Sequence, residues 1–421
     1  MSATAPSRYA LTGRVLDGTG DPPIEDGVLL VEGQRIAAVG PREDFPELEG
    51  EVIDCAGGAI LPGLVNSHLH LALDGDDTPY PAKLPRLAQM RDRELIPLYL
   101  EQARINLEAG ITTVRDLHPG PGGTTEGMLV AQELLRRGEV AGSRVHLALR
   151  PLVMAGGHGT QWLSRVASGP EDVRRAAREN VAEGSQFLKL MTAHSWGPLP
   201  GRPESWRRYF TVAELAAAVD AAHRAGIPVA AHSHGVDSIG DNLEAGVDSI
   251  EHGSGLTEEL VTRMVDQGTF LVPTLASYAS FIAVGPERGA PAGRVEEARY
   301  VHERQRSGMR LAIEAGVKIA AGTDAGFQYL RHGATLVREL ELYVELGMTP
   351  LDAIGAATLR GAEILQVADR LGSLEAGKIA DVIVVDGDPL ADVGALRAVK
   401  VVIREGRIIL PPDRGVREVA R

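Results

Sequence analysis

The sequence predicts an α/β protein: a (β/α)8 barrel over residues 61–367, flanked by one small composite β-sandwich made from residues 1–60 and 368–421. Three observations predict it. The middle of the chain repeats a unit in which an amphipathic helical stretch ends at glycine and a short run rich in β-branched residues begins at once. These runs add up to eight candidate strands. Both ends of the chain instead carry short alternating strands, and neither end is long enough to close a core alone.

From the N-terminus, YALTGRVLDGTG, GVLLVEGQRIAAVG and EVIDCAGG read as strands and turns within residues 9–58. Their Val, Ile and Leu content argues against a disordered tail. The barrel then opens with ILPGLVNSHLHL at 60–71, followed by ITTVRDL, RVHLALRPL (144–152), FLKLM, IPVAAH, VDSIEH, TFLVP and VKIAAGTD. Runs apolar on both faces suit strands of a buried parallel sheet. Helix-to-strand junctions fall at Gly110, Gly184, Gly226, Gly246, Gly268 and Gly316, and glycine accepts the left-handed conformation that closes a helix. Helix starts agree. Thr211 with Glu214 reads as a capping box, and Pro350 after Thr349 sits where a missing N–H does no harm. Strands alternating with helices predict βαβ units, and eight of them point to a closed barrel. An open doubly wound sheet is the alternative, with no glycine-rich nucleotide fingerprint to support it. KIADVIVVDGDP and AVKVVIREGRIIL return to short strands, which are expected to pair with those of the N-terminus.

Composition narrows the function classes. A formal charge of −14 argues against nucleic acid or an anionic membrane as partner. Cys55, the single cysteine, rules out an intramolecular disulfide and a cysteine-based zinc site. No apolar run approaches the roughly 18 residues that span a bilayer, and residues 1–9 carry no secretory core, so a cytoplasmic protein is expected.

Six side chains carry the chemistry. His68 and His70 stand two apart at the end of a strand, on one side of it, a natural start for a zinc site or a packing accident. Lys189 lies inside the apolar run Phe187–Met191. It reads either as a snorkelling or ion-paired lysine, or as a neutral amine able to form a carbamate with CO2. His232, His252 and Asp324 each close a predicted strand. Singly they fit a core histidine, a turn cap and a helix cap. Together they fall where barrel strands converge on the face that builds active sites.

These residues bring the chain to a family pattern. It resembles the amidohydrolase superfamily in Leu61-Pro-Gly-Leu-Val-Asn-Ser-His-Leu-His70, Lys189, His232, Ser249-Ile-Glu-His-Gly253, Gly322-Thr-Asp-Ala325 and the closing segment Gly372–Val384. GGHG at 156–159 and HSHG at 232–235 make it similar to the imidazolonepropionase-like and prolidase-like (Xaa-Pro dipeptidase-like) branch. The resemblance implies His68, His70 and Asp324 as ligands of one divalent metal, His232 and His252 as ligands of a second, and carboxylated Lys189 as the bridge. Zinc is the expected metal. It implies a water activated between the two metals, with Asp324 shuttling its proton. Where many relatives carry Gly-Gly after the lysine, this chain has Thr192-Ala-His-Ser-Trp196, which alters a loop near the substrate.

The remaining assignments are positional. His158 follows the third strand in a glycine-rich loop and is expected to touch substrate or oxyanion. His234 occupies the place of a carboxylate-binding Tyr in relatives. Arg150 and Tyr278 are taken as further substrate contacts, and segments 74–97, 195–210 and 277–299 as loops over the catalytic face. The expected reaction is hydrolysis of an amide bond that releases a C-terminal amino acid from a dipeptide or N-acyl amino acid. The partner is therefore a small molecule, and a homo-oligomer is expected. A lactone, phosphotriester or cyclic-imide hydrolase, a deaminase, and a metal-free scaffold are the competing readings. None of the six ligands is missing, which speaks against the scaffold.

Overall fold

In the computed structural model, which describes residues 8–48, 50–118, 120–194 and 206–410, the chain opens with β1 (Arg8–Val15), β2 (Ile24–Glu32), β3 (Arg35–Pro41) and β4 (Glu51–Pro62). β1, β2 and β3 run antiparallel as a meander, and β4 lies parallel to β1. After Gly63 alone, β4 runs on into β5 (Leu64–Leu69), the first barrel strand. A Cβ at Gly63 would collide with the Thr112 side chain, so only glycine fits this joint.

The barrel continues through β6 (Ile111–Asp116), β7 (Arg144–Leu147), β8 (Leu152–Val153), β9 (Arg165–Val166), β10 (Leu188–Met191), β11 (Val229–His234), β12 (Ser249–Ser254) and β13 (Phe270–Val272). Every pairing among β5–β13 is parallel. Two of the expected strands depart from simple runs. The third is split into β7 and β8, because Leu149 takes a left-handed φ of 54° and Pro151 has no N–H to give the ladder. The eighth survives only as the bridges Leu271↔Ile319 and Leu69↔Ala325. Its irregularity has a visible cause. The successive amides of Thr323 and Asp324 both donate to the His68 carbonyl, at 2.9 and 2.8 Å, where a ladder would alternate them. These bonds, with Ser67 N to Ala321 O at 2.7 Å, join the last strand to the first and close the barrel.

Helices cover the outside, and their ends follow the glycine pattern. Gly184, Gly246, Gly268 and Gly316 are left-handed C-caps. Thr211 and Glu214 form the capping box, and Pro350 starts its helix. The chain ends in β14 (Val382–Asp386), β15 (Val399–Arg404) and β16 (Arg407–Leu410). β14 pairs antiparallel with the free edge of β4, giving one seven-stranded sheet in the order β16-β15-β14-β4-β1-β2-β3. Both ends of the chain thus share one β-sandwich core, in which Leu11, Leu29, Ile60, Val382 and Val401 are fully buried. Arg144 at the base of β7 ties barrel to sandwich through Asp381 (2.6 Å) and Glu405 (2.7 Å). No helix among the described residues is long and apolar enough to cross a membrane.

Candidate metal centre

Parallel strands present all their C-terminal ends on one face, and the candidate ligands meet there. The ligand atoms of His68, His70 and Asp324 lie within 4.8 Å of one another, and so do those of His232, His234 and His252. The ring centres of His68 and His252, 4.9 Å apart, link the two groups.

The first group is held from behind. Glu251 in β12 accepts His68 Nδ1–H at 2.6 Å, which leaves the lone pair on Nε2 facing Asp324 Oδ1 at 3.3 Å. An imidazole nitrogen and a carboxylate oxygen so placed are donors of the kind that could share one divalent cation. Asp324 Oδ1 also lies 2.9 Å from His70 Nε2, and Ser277 Oγ donates to its Oδ2 at 3.3 Å. Glu251 is fully buried and receives Arg115 Nη2 at 2.5 Å and Ser249 Oγ at 2.6 Å. Burial alone would raise its carboxyl, but Arg115 and His68 override that and hold it below the usual carboxylate range. Arg115, equally buried, is fixed by its Nε bond to Ser67 O at 2.7 Å.

In the second group, His252 Nδ1 lies 2.7 Å from Thr274 Oγ1 and His234 Nδ1 lies 2.7 Å from Ser254 Oγ. Their hydroxyl partners leave both Nε2 atoms for the cluster. Burial, and then the nearness of the other rings, pushes His232 well down, while burial outweighs the nearby Asp324 carboxylate to push His252 well down, His234 to about 3 and His70 to about 4. Neutral imidazoles are what a divalent cation needs at pH 7. Lys189, 1% exposed in β10, has no hydrogen-bond partner for Nζ among the described residues, and burial pushes it down to about 8. A buried, unpartnered amine at the mouth of a barrel is costly unless something binds it.

Backbone strain marks the same spot. His252 (φ 68°), Thr274 (φ 50°) and Asp324 (φ 63°) are left-handed without being glycine, at the tops of three successive barrel strands. Each such residue costs on the order of 1–3 kcal/mol.

Of the other expected residues, His158 brings its ring within 5.0 Å of His232, and buried Tyr278 stands edge-on to His234 at 6.4 Å. Arg150 does not reach the centre. Its Nε lies 3.6 Å from Glu183 on the helix Pro170–Glu183, outside the barrel wall, so the expectation of a substrate contact is corrected. Segment 277–299 is largely helical, lying within Leu275–Val284 and the start of Ala292–Ala315, and segment 74–97 contains helix Tyr80–Leu87. Residues 195–205 of the third expected loop lie outside the described residues.

Sequence reasoning missed several members. Glu251 and Arg115 are charged residues inside apolar strands, the very signal that singled out Lys189, and the same criterion finds them. His118, whose ring stacks between His70 (3.7 Å) and Trp162 (3.9 Å), comes two residues after β6 ends at Asp116.

A family model described as the amidohydrolase family matches residues 59–409. Ochratoxinase of Aspergillus niger is 30% identical over 437 residues, covering 96% of this chain and 86% of that protein. A Xaa-Pro dipeptidase with methionine bound in its active site superposes with a TM-score of 0.82 at 29% identity, over 96% of this chain and all of that one (100%). A prolidase complexed with N-methylphosphonate-L-proline gives 0.82 at 27%, over 96% and 100%.

Proposed function

Because this chain belongs to the amidohydrolase family and is a hydrolase of C–N bonds, we propose that it cleaves an amide to release a C-terminal amino acid from a dipeptide or an N-acyl amino acid. The observation that carries this reading is the pair of three-residue ligand groups set beside the buried amine of Lys189, which has no hydrogen-bond partner among the described residues. His68, His70 and Asp324 would hold one divalent cation, and His232 and His252 the second. Lys189 would bridge them as a carbamate, formed when its neutral amine adds to CO2 and releases a proton; zinc is the metal we propose. Bound there, such a pair makes water nucleophilic near neutral pH and draws charge off the scissile carbonyl.

The protein's own groups divide the remaining work. Asp324, a carboxylate with one oxygen against His70 and the other against Ser277, takes the proton of the attacking water and delivers it to the leaving nitrogen. Glu251 keeps the Nε2 lone pair of His68 turned inward. His158, beside His232, is placed to donate to the carbonyl oxygen, while His234 and Tyr278 border the space for the released amino acid. Support for an amino-acid product comes from the relatives that hold methionine and N-methylphosphonate-L-proline.

The test is a screen of dipeptides and N-acyl amino acids with zinc and bicarbonate supplied, run beside a count of metal per chain. About two metals and turnover of one of these substrates is the expected result. Two metals without such turnover sinks the substrate class. A Lys189→Ala protein that keeps both metals removes the bridge.

A further inference from the structure

Two fully buried polar side chains that touch none of the candidate ligands' ring nitrogens converge behind the second histidine group. Glu339, 0% exposed on the helix Thr335–Glu345, accepts from Leu275 N at 2.8 Å with one oxygen and from Ala276 N at 2.6 Å with the other. These amides open the helix Leu275–Val284, where backbone donors have no partner within the helix. The residue just before them is Thr274, at φ 50° and ψ 43°. A β-branched residue avoids that left-handed region and stays there only if its surroundings over-determine it. From this position Thr274 Oγ1 meets His252 Nδ1 at 2.7 Å. Gln305, from the helix Ala292–Ala315, ties the same corner down, its Nε2 donating to Pro273 O at 2.9 Å and to His252 O at 3.4 Å.

We propose that Glu339 is a positioning residue for the second metal: by clamping the Leu275 and Ala276 amides it fixes Thr274 in the turn that aims His252 into the group with His232 and His234. The inference rests on reading that group as a metal site. It explains why a carboxyl group is fully buried against the start of a helix. Only two acceptor oxygens satisfy two parallel N–H donors, and glutamine, of nearly the same shape, would turn an NH2 toward one of them. A hydrophobic residue there would leave both buried amides without an acceptor.

The experiment is a calorimetric titration of the metal-free full chain with Zn2+, in bicarbonate, for wild type, Glu339→Gln and Thr274→Val. Wild type is expected to take up two equivalents. Glu339→Gln should bind the first as wild type does and the second about 10–100-fold more weakly, the range for loss of a group that orients a ligand. Thr274→Val, which keeps the β-branch and removes only the hydroxyl, should reproduce that selective loss with Glu339 in place, and it stands in if Glu339→Gln does not fold. Either variant binding both equivalents as tightly as wild type, or weakening both alike, overturns the proposal while leaving the metal centre intact. A wild-type chain that takes up no second equivalent overturns the reading of the centre, and this proposal with it.

Discussion

Replacing Glu251 by glutamine separates two roles that one carboxylate combines. The group is fully buried and meets His68 Nδ1, Arg115 Nη2 and Ser249 Oγ, all within 2.6 Å. Glu251→Gln keeps the volume and removes the charge, so the Arg115 guanidinium, 1% exposed, is left facing a neutral amide. Breaking a buried pair from one side costs about 3–5 kcal/mol, and one remaining acceptor oxygen places this case near the lower figure. An unfolding entropy of about 2.1 cal/mol/K per residue, taken over 421 residues, is roughly 0.9 kcal/mol/K, so Tm of the metal-free protein should fall by about 3–4 °C. Separately, His68 loses the acceptor that fixes its tautomer, and the first metal should bind about 10–100-fold more weakly. Scanning fluorimetry of the metal-free chain reads the first effect and a zinc titration the second. Adding Arg115→Met removes the stranded charge, so the double variant should regain most of the Tm but none of the affinity. A Glu251→Gln chain with unchanged Tm and unchanged affinity would falsify the reasoning at its root.

A methyl group at position 322 tests the closeness of the last strand to the first. The Cβ of Gly322→Ala would lie 2.5 Å from Val272 Cγ1 and 2.7 Å from His68 Cβ, so a loss of about 1–3 kcal/mol in urea unfolding is expected, with poorer metal uptake; a variant as stable as wild type refutes the packing. His332 predicts acid sensitivity: its Nε2–H donates to Leu73 O at 2.9 Å, and burial pushes its pKa down to about 4. The unfolded chain therefore binds more protons between pH 4 and 6.5. The stabilisation is whole above 6.5 and disappears as pH falls toward 4, up to roughly 3 kcal/mol at 1.36 kcal/mol per pKa unit. His332→Gln should flatten that part of the stability profile, and identical profiles would show that His332 does not contribute. Arg150→Ala should leave kcat and KM within about twofold of wild type, since its guanidinium faces Glu183; a tenfold rise in KM would put it back at the substrate.

The barrel was legible because its punctuation is local. A glycine that closes a helix and the β-branched run after it lie within a few residues of each other, and both kinds of element follow from that. What the chain alone did not reveal depends on distant partners. Helix Leu275–Val284 has no polar face to signal it, and its N-terminal amides are satisfied by Glu339, which lies far along the sequence. The last strand looked regular in VKIAAGTD, yet its amides turn to the His68 carbonyl. Five of the candidate ligands could be named because they stand at or near a strand end, where topology gathers them, and Lys189 because its charge interrupts an apolar run. Other parts of the site carry no such signal: nothing near Thr274 in sequence announces that it faces His252, and the side chain of Arg150 points outward although its strand leads to the mouth.

The passage from β4 into β5 through one glycine also bears on how the molecule comes to be made. That rod receives β1 along one edge early, but the other edge belongs to β14, which a ribosome delivers only after the whole barrel. Until then a long stretch of nascent backbone carries bare donors and acceptors of the kind that recruit neighbouring chains. Truncated or stalled products lacking Val382–Asp386 should for this reason aggregate through the first half of the polypeptide, and His68, six residues past the rod's sandwich end at Pro62, should find its final place among the last groups to do so.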